Sequence, residues 1–299
     1  MDWWNWGMTS IPRAHNSHPL DPGFSQPLKG RIMDVIRLTA LDLTIAASLL
    51  VVLAGLSMFL SLGLERKIVI FSCRMTAQLL LIGLVLRFLF SSGSLMLVLL
   101  MATIMLLAAG REVWARQRRK ISGISGYGIS IVAMFVSSFS IAILALAVII
   151  NVDPWYTPQY AIPLLGMLLG NTMTGISLAL DSMTDQLHRR QGEIEQRLLL
   201  GQTCQEASRD IRKDCMRTGM MPIINAMAAA GLVSLPGMMT GQILGGTPPV
   251  EAVKYQLLIM FLIAAGTGFG VVSAIWMSRL LLFDTRHRLR LDILKDEED

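Results

Sequence analysis

Only 16% of the 299 residues are charged and only four are histidine, whereas an ordinary soluble domain carries about 25% charge. The three cysteines, Cys73, Cys204 and Cys215, form no CxxC pair and have no metal-site spacing, so neither a disulfide framework nor a thiolate cluster is expected and the thiols read as free. No GxxxxGK[ST] phosphate loop, HExxH, GxSxG or cluster of Cys and His ligands occurs. Nucleotide hydrolysis and zinc chemistry therefore have no residues to perform them, and the chain is expected to be no enzyme. Carboxylates are also missing from the middle of the apolar runs, with Asp42 and Asp181 both near their edges. A proton- or sodium-driven carrier usually places an Asp or Glu near the midplane, so an ATP-independent secondary carrier is the weaker reading.

What is present is apolar surface: 53% hydrophobic residues and a mean hydropathy of +0.56. Crossing about 30 Å of hydrocarbon takes about 20 apolar residues in a helix. Seven such runs occur, at roughly 43–64, 68–90, 92–110, 129–150, 160–180, 222–244 and 255–282. Backbone polar groups must be satisfied within each span, which selects helices over the shorter alternating strands of a barrel. The fold class expected is all-α, a polytopic membrane protein of about seven transmembrane helices. Basic residues alternate between loops: Arg66, Lys67, Arg111, Arg116, Arg118, Arg119, Lys120, seven between Arg189 and Arg217, and Arg286, Arg288, Arg290 and Lys295 fall on one side, and Lys254 alone on the other. Because Lys and Arg collect on the cytoplasmic side, the N-terminus is expected outside and the C-terminus inside, although Arg13, Lys29, Arg31 and Arg37 in the head run against this assignment. The net charge of +5 follows from the same bias and implies no nucleic acid.

Residues 1–37, with Trp3, Trp4, Trp6, His15 and His18, read as an N-terminal extension, either interfacial or disordered. Residues 38–285 form the membrane region, including a charged soluble loop over 182–221, and 286–299 a charged tail. In the loop, Ile194, Leu198, Leu199, Ala207 and Ile211 recur at helical spacing, which predicts two short amphipathic helices broken near Gly201.

Within the spans, polar groups mark candidate path residues. Arg74, one turn before Gln78, is expected to serve either a substrate path or an ion pair with a partner such as Asp42. Arg87 and Arg279 lie near span ends, where they can snorkel. Asn171 and Thr174 require interhelical hydrogen bonds or a polar route. Pro236 is expected to kink the sixth run in its outer half by removing a hydrogen bond. Gly237, Gly241 and Gly245 share one face that admits a close helix neighbour, and Met238, Met239, Thr240 and Gln242 would line a gate there. Most of the twenty methionines read as apolar filler, and no residue set identifies a metal site.

Four segments together carry a resemblance: Cys73–Leu79 (Cys-Arg-Met-Thr-Ala-Gln-Leu), Gly166–Met173, the Glu195–Gly201 stretch with its Glu-x5-Gly spacing, and Gly231–Gln242 with Leu-Pro-Gly-Met-Met, followed by Lys254-Tyr255-Gln256. Over about residues 38–285 the chain resembles the FetB-type ABC transporter permeases, a family that includes a bacterial protein assigned to iron export and plant aluminium-tolerance permeases. The resemblance implies a homodimeric permease subunit in a bacterial inner (plasma) membrane, surrounded by lipid and energised by a separate ABC-type ATPase. ATP is bound by that partner, and this chain itself is expected to need no cofactor. It further implies that Glu195, Leu198, Leu199 and Gly201 form the coupling element that docks into the ATPase. The cargo implied is a metal ion, iron; carriage of a nucleotide sugar or other anion, with Arg74 as the anion partner, is the alternative.

Overall fold

The computed structural model describes residues 39–284, 286 and 288–296; the N-terminal extension, with its tryptophans and His15 and His18, lies outside the described residues. Apart from one two-stranded ribbon, the described secondary structure is helical.

Helix α1 (Ala40–Phe59) opens on a capping box: the Thr39 backbone N–H donates to Asp42 Oδ2 at 2.8 Å, and the Asp42 N–H donates to Thr39 Oγ1 at 3.4 Å. Asp42 therefore serves its own helix terminus. Helices α2 (Glu65–Ser92) and α3 (Leu95–Ala115) meet at Gly93, whose left-handed φ of 57° makes a tight hairpin. A fourth span begins with α4 (Gly123–Met134) and continues through a π turn (Phe135–Phe139), α5 (Ser140–Leu144) and a second π turn (Ala145–Ile149). Helices α6 (Pro158–Arg189), α9 (Arg209–Ala229) and α11 (Pro249–Leu282) pack against one another at the centre. Leu168, Ile176, Leu180, Met183 and Leu187 of α6 are fully buried there, with Ile211 and Cys215 of α9 and Val271, Ala274 and Ile275 of α11. At Gly270 an added β-carbon would lie 2.5 Å from Thr172 Cγ2, so only glycine admits the side chain of α6 at that level.

Among the described residues, six helices are long and apolar enough to cross a membrane, and they match six of the seven predicted runs. The remaining run, 222–244, is not one helix. It is divided between the end of α9, an irregular segment 230–236, and the short α10 (Gly237–Leu244). Helix α9 starts beside the charged loop, while α11, the next long helix, ends there. The chain from Arg209 to Pro248 must therefore traverse the bundle, as a broken seventh crossing.

One end of the bundle collects the basic groups. Strand β1 (Arg119–Ile121) pairs antiparallel with β2 (Leu294–Asp296), Ile121 opposite Leu294. Arg119 reaches Asp185 of α6 at 3.5 Å, and the Arg118 N–H donates to Asp181 Oδ1 at 2.8 Å. These contacts join the end of α3, the end of α6 and the C-terminal segment. Helices α1 and α2 lie at one side: α2 packs on α1, meets the edge of α6 and is tied to α3 by an Arg74–Glu112 pair, and its apolar side chains are exposed nearly all round.

Candidate functional site

Helix α6 runs more than two turns past the predicted span because its last turns are held by charge: Asp185 pairs with Arg119 and, at 2.9 Å, with Arg189 one turn on. Arg190 then ends α6 and begins α7 (Gln191–Leu199), and its guanidinium grips Glu193 through both oxygens, Nε to Oε2 at 2.8 Å and Nη2 to Oε1 at 3.0 Å. This hydrogen-bonded pair holds the Glu193 carboxyl below its ordinary pKa. Arg197 fastens the other side, reaching Glu193 at 2.7 Å and Asp210 of α9 at 3.3 Å.

The chain turns back at Gly201, whose φ of +91° is a left-handed conformation that suits glycine. The short α8 (Cys204–Ala207) follows, opened by a Thr203–Glu206 capping box; the Thr203 N–H donates to Glu206 Oε2 at 2.8 Å and keeps that carboxyl acidic. The break near Gly201 predicted from sequence is thus found. Together α7 and α8 form an elbow that projects from the basic end.

The phase of α7 sorts the predicted residues. Ile194 is 1% exposed and Leu198, one turn later, is half-buried against the core. Glu195 and Leu199 share the outward face, with Glu195 accepting a 2.7 Å hydrogen bond from Gln191 Nε2. Leu199 is 87% exposed and Leu200 84% exposed. The structure therefore brings Glu195, Leu199 and Gly201 to the tip, turns Leu198 inward, and adds Leu200, which sequence periodicity did not separate from its neighbours.

A cleft of about 890 Å³ opens between α2 and α3 and is lined by Arg74, Gln78, Arg111, Glu112, Arg116 and Met173 of α6, among others. Arg74 Nη2 donates to Glu112 Oε1 at 2.5 Å, and Glu112 also faces Arg116 at 3.9 Å. Asp42, which sequence reasoning offered as the partner of Arg74, is occupied in the cap of α1, and Glu112 replaces it. Gln78 stands on the same face of α2 as Arg74, one turn deeper.

The third feature is the break between α9 and α10. Helix α9 ends at Ala230, whose backbone is extended, and Gly231 follows with φ +87°. The Gly231 N–H donates to the Ser234 carbonyl at 2.9 Å, and the N–H groups of Val233 and Ser234 donate to the Ala229 carbonyl at 3.0 and 3.1 Å. Pro236 is the N-cap of α10, where its missing N–H leaves no bond unmade. The sequence placed the break at Pro236, but Gly231 ends the helix five residues earlier.

Leu232 is 94% exposed and Val233 85% exposed. Met238 packs against the core, Met239 is half-buried, and Gln242 Oε1 is buried without a hydrogen-bond partner among the described residues. A β-carbon at Gly237 or Gly241 would meet nothing within 4 Å, so the close neighbour expected on that face is not within the described chain. Asn171 and Thr174 bond within α6, to the Met167 and Gly170 carbonyls at 2.8 and 3.1 Å, rather than across helices. Among the described residues no three His, Cys, Asp or Glu side chains are grouped to hold a metal ion.

The chain is 30% identical over 264 residues to the Escherichia coli K12 protein named "Probable iron export permease protein FetB", covering 88% of this chain and 99% of that one. It is 42% identical over 190 residues to a UPF0014 membrane protein of Synechocystis, covering 64% and 73% of the two chains. It is 31% identical over 254 residues to the Arabidopsis thaliana protein ALUMINUM SENSITIVE 3, covering 84% and 91%. No solved structure matches. The profile of the uncharacterised protein family UPF0014 matches residues 40–283, from the first described helix to the end of the last span, and this polytopic helical chain belongs to that family.

Proposed function

We propose that this chain is the membrane-spanning permease subunit of an ABC transporter, exporting a metal ion, iron, with energy from a separate ATPase. The observation that carries the reading is the elbow tip. Two adjacent leucines stand almost fully exposed beside Glu195 and Gly201 on a polar loop braced by Arg190 and Arg197. Exposed apolar groups rimmed by charge are the composition of a protein-docking surface, and a docked ATPase dimer moving this elbow would act on α6 and α9 directly. Loop charge supports a cytoplasmic basic end, with the elbow and C-terminal tail, and an N-terminus outside; the membrane is then a bacterial inner membrane. A homodimer supplies the second elbow for the second ATPase subunit and a neighbour for the open Gly237–Gly241 face. Irregular backbone at membrane depth is tolerated only against protein or water, which makes the 230–236 break a candidate gate with Pro236, Met238, Met239 and Gln242 beside it.

The export cargo draws its support from the name of the Escherichia coli relative. A second reading, an anionic cargo such as a nucleotide sugar, draws support from the α2–α3 cleft, where three arginines face one glutamate. Cellular iron in a deletion strain, complemented by the wild type or by Arg74→Gln, tests both. Iron accumulation without the protein is expected; unchanged iron with altered nucleotide-sugar export favours the second reading. Uphill transport by vesicles containing this chain alone would refute the ATPase requirement.

A further inference from the structure

Arg279 was expected to snorkel from the end of the last span, yet it is only 7% exposed, and its Nε is buried with no hydrogen-bond partner. Arg212 of α9 repeats the pattern: its Nη2 donates to the Gln205 carbonyl at 2.8 Å, while its Nε is buried and unpartnered. Gly219 of α9 packs on Val271 of α11, and Arg212 and Arg279 lie seven and eight residues further toward the loop end of these two antiparallel helices, which sets both guanidinium groups at one level of the α9–α11 interface. Neither makes an ion pair among the described residues. The other charged or titratable groups acting on Arg212 are Arg209 and the Cys204 thiol, while the α9 carboxylates are engaged elsewhere, Asp210 with Arg197 and Asp214 with Arg217.

Two like charges, one enclosed and one half-buried, each with an unpartnered Nε and no counter-charge, are unfavourable, and proteins resolve such sites by pairing or by binding an ion. Arg279 lies three residues before the end of α11 at Leu282, about 4.5 Å along the axis, so it belongs to the last turn of the span. Guanidinium is the side chain best matched to phosphate oxygens, through paired N–H donors.

We propose that Arg212 and Arg279 together bind a phosphate oxyanion at the base of α9 and α11. The ligand is either a phospholipid headgroup or free phosphate. Because Arg212 also holds the Gln205 carbonyl of α8, occupancy draws the base of the elbow onto α11 and stiffens it.

The test uses the full-length chain, purified in detergent and titrated with inorganic phosphate, and in nanodiscs of phosphatidylglycerol or phosphatidylcholine. The expected result is a rise in Tm of roughly 4 °C with phosphate or in phosphatidylglycerol. Arg212→Gln and Arg279→Gln should each abolish the rise; Arg279→Gln should leave Tm in anion-free detergent equal to or above wild type, because it removes an enclosed charge without a partner. A response to phosphate alone identifies the free anion; a response in phosphatidylglycerol alone identifies the headgroup. No response to either overturns the proposal, as does an unchanged response in both variants. The C-terminal acids Glu297, Glu298 and Asp299 lie outside the described residues. If neutralising them to amides lowers Tm and Arg279→Gln cancels that effect, the chain's own tail fills the site and the proposal falls. It also falls if the response appears only when an ATPase partner is bound.

Discussion

Gly175 of α6 and Gly219 of α9 cross backbone to backbone. A β-carbon on Gly219 would lie 2.7 Å from the Gly175 carbonyl oxygen, and one on Gly175 would lie 2.8 Å from the Gly219 carbonyl oxygen. Val271 of α11 closes the junction from the third side, at 3.0 Å from the same position over Gly219. Lipid tails are as apolar as leucine, so close packing of this kind, rather than solvent exclusion, holds membrane helices together.

Gly219→Ala should therefore destabilise the bundle by about 1–3 kcal/mol through overpacking, and Gly219→Leu should prevent assembly of α9 against α6. Gly83→Ala in α2 is the control, since its β-carbon meets nothing. Thermal unfolding in detergent reads the difference; equal Tm values for Gly219→Ala and the control would refute the crossing.

At the elbow, Leu199→Ser with Leu200→Ser should abolish copurification of the ATPase while leaving Tm within a degree or so of wild type, because neither side chain is buried. Ile194→Ser, by contrast, should lower Tm, its side chain being enclosed. Gly201→Glu is a poorer probe, since the left-handed backbone there adds about 1–2 kcal/mol of strain to any effect on docking.

For the broken crossing, Pro236→Ala should leave helix content and the position of the break unchanged, and Gly231→Ala should disturb both, because the left-handed residue is Gly231. Cysteine scanning of 230–236 with a water-soluble maleimide checks this. A continuous helical labelling period through Pro236→Ala would show that proline, not glycine, sets the break.

Acid should loosen the elbow before the bundle. The Arg190 guanidinium holds Glu193 below its ordinary pKa, and the Thr203 N–H does the same for Glu206. A depressed folded-state pKa contributes stability that is complete above the unfolded value, 4.5 for these groups, and is lost as pH falls through the folded value. Amide protection factors in 190–208, measured relative to intrinsic exchange at each pH, should thus fall below about pH 4.5, with Glu193→Gln and Glu206→Gln removing this loss. Both carboxylates are exposed, and the effect should weaken in salt.

Cys215 is fully enclosed between α9 and α6. At pH 8 in the folded protein Cys215 should resist iodoacetamide, since the reagent cannot reach the enclosed sulfur, and it should label on unfolding. Rapid labelling of native Cys215 would mean that α9 separates from α6 near Ser182, whose hydroxyl lies 3.5 Å from the sulfur.

The helical class, six spans and the turn at Gly201 were legible because each rests on local signals: apolar run length, loop charge and one permissive residue. What failed to show in the sequence depends on helix phase or on distant partners. Glu112 lies 38 residues from Arg74, and no periodicity connects them. Leu198 and Leu200 are equally apolar, and only the rotation of α7 fixed by Arg190 and Arg197 sends one inward and the other out. Arg279 sits where an interfacial arginine is common, and its enclosure follows from α9 lying across that face of α11. Pro236 is the stronger signal for a break, yet an N-cap position accommodates it, and the quieter Gly231 ends the helix.

The hairpin of α1 and α2 is joined to the body by the Gly93 turn, the edge of α6 and the Arg74–Glu112 pair. Its angle to the body is accordingly governed by the surrounding lipid as much as by protein. A thinner bilayer should splay the flap and a thicker one draw it upright, respectively widening and narrowing the gap that Arg74 and Glu112 bridge, so access to this groove should vary with membrane composition.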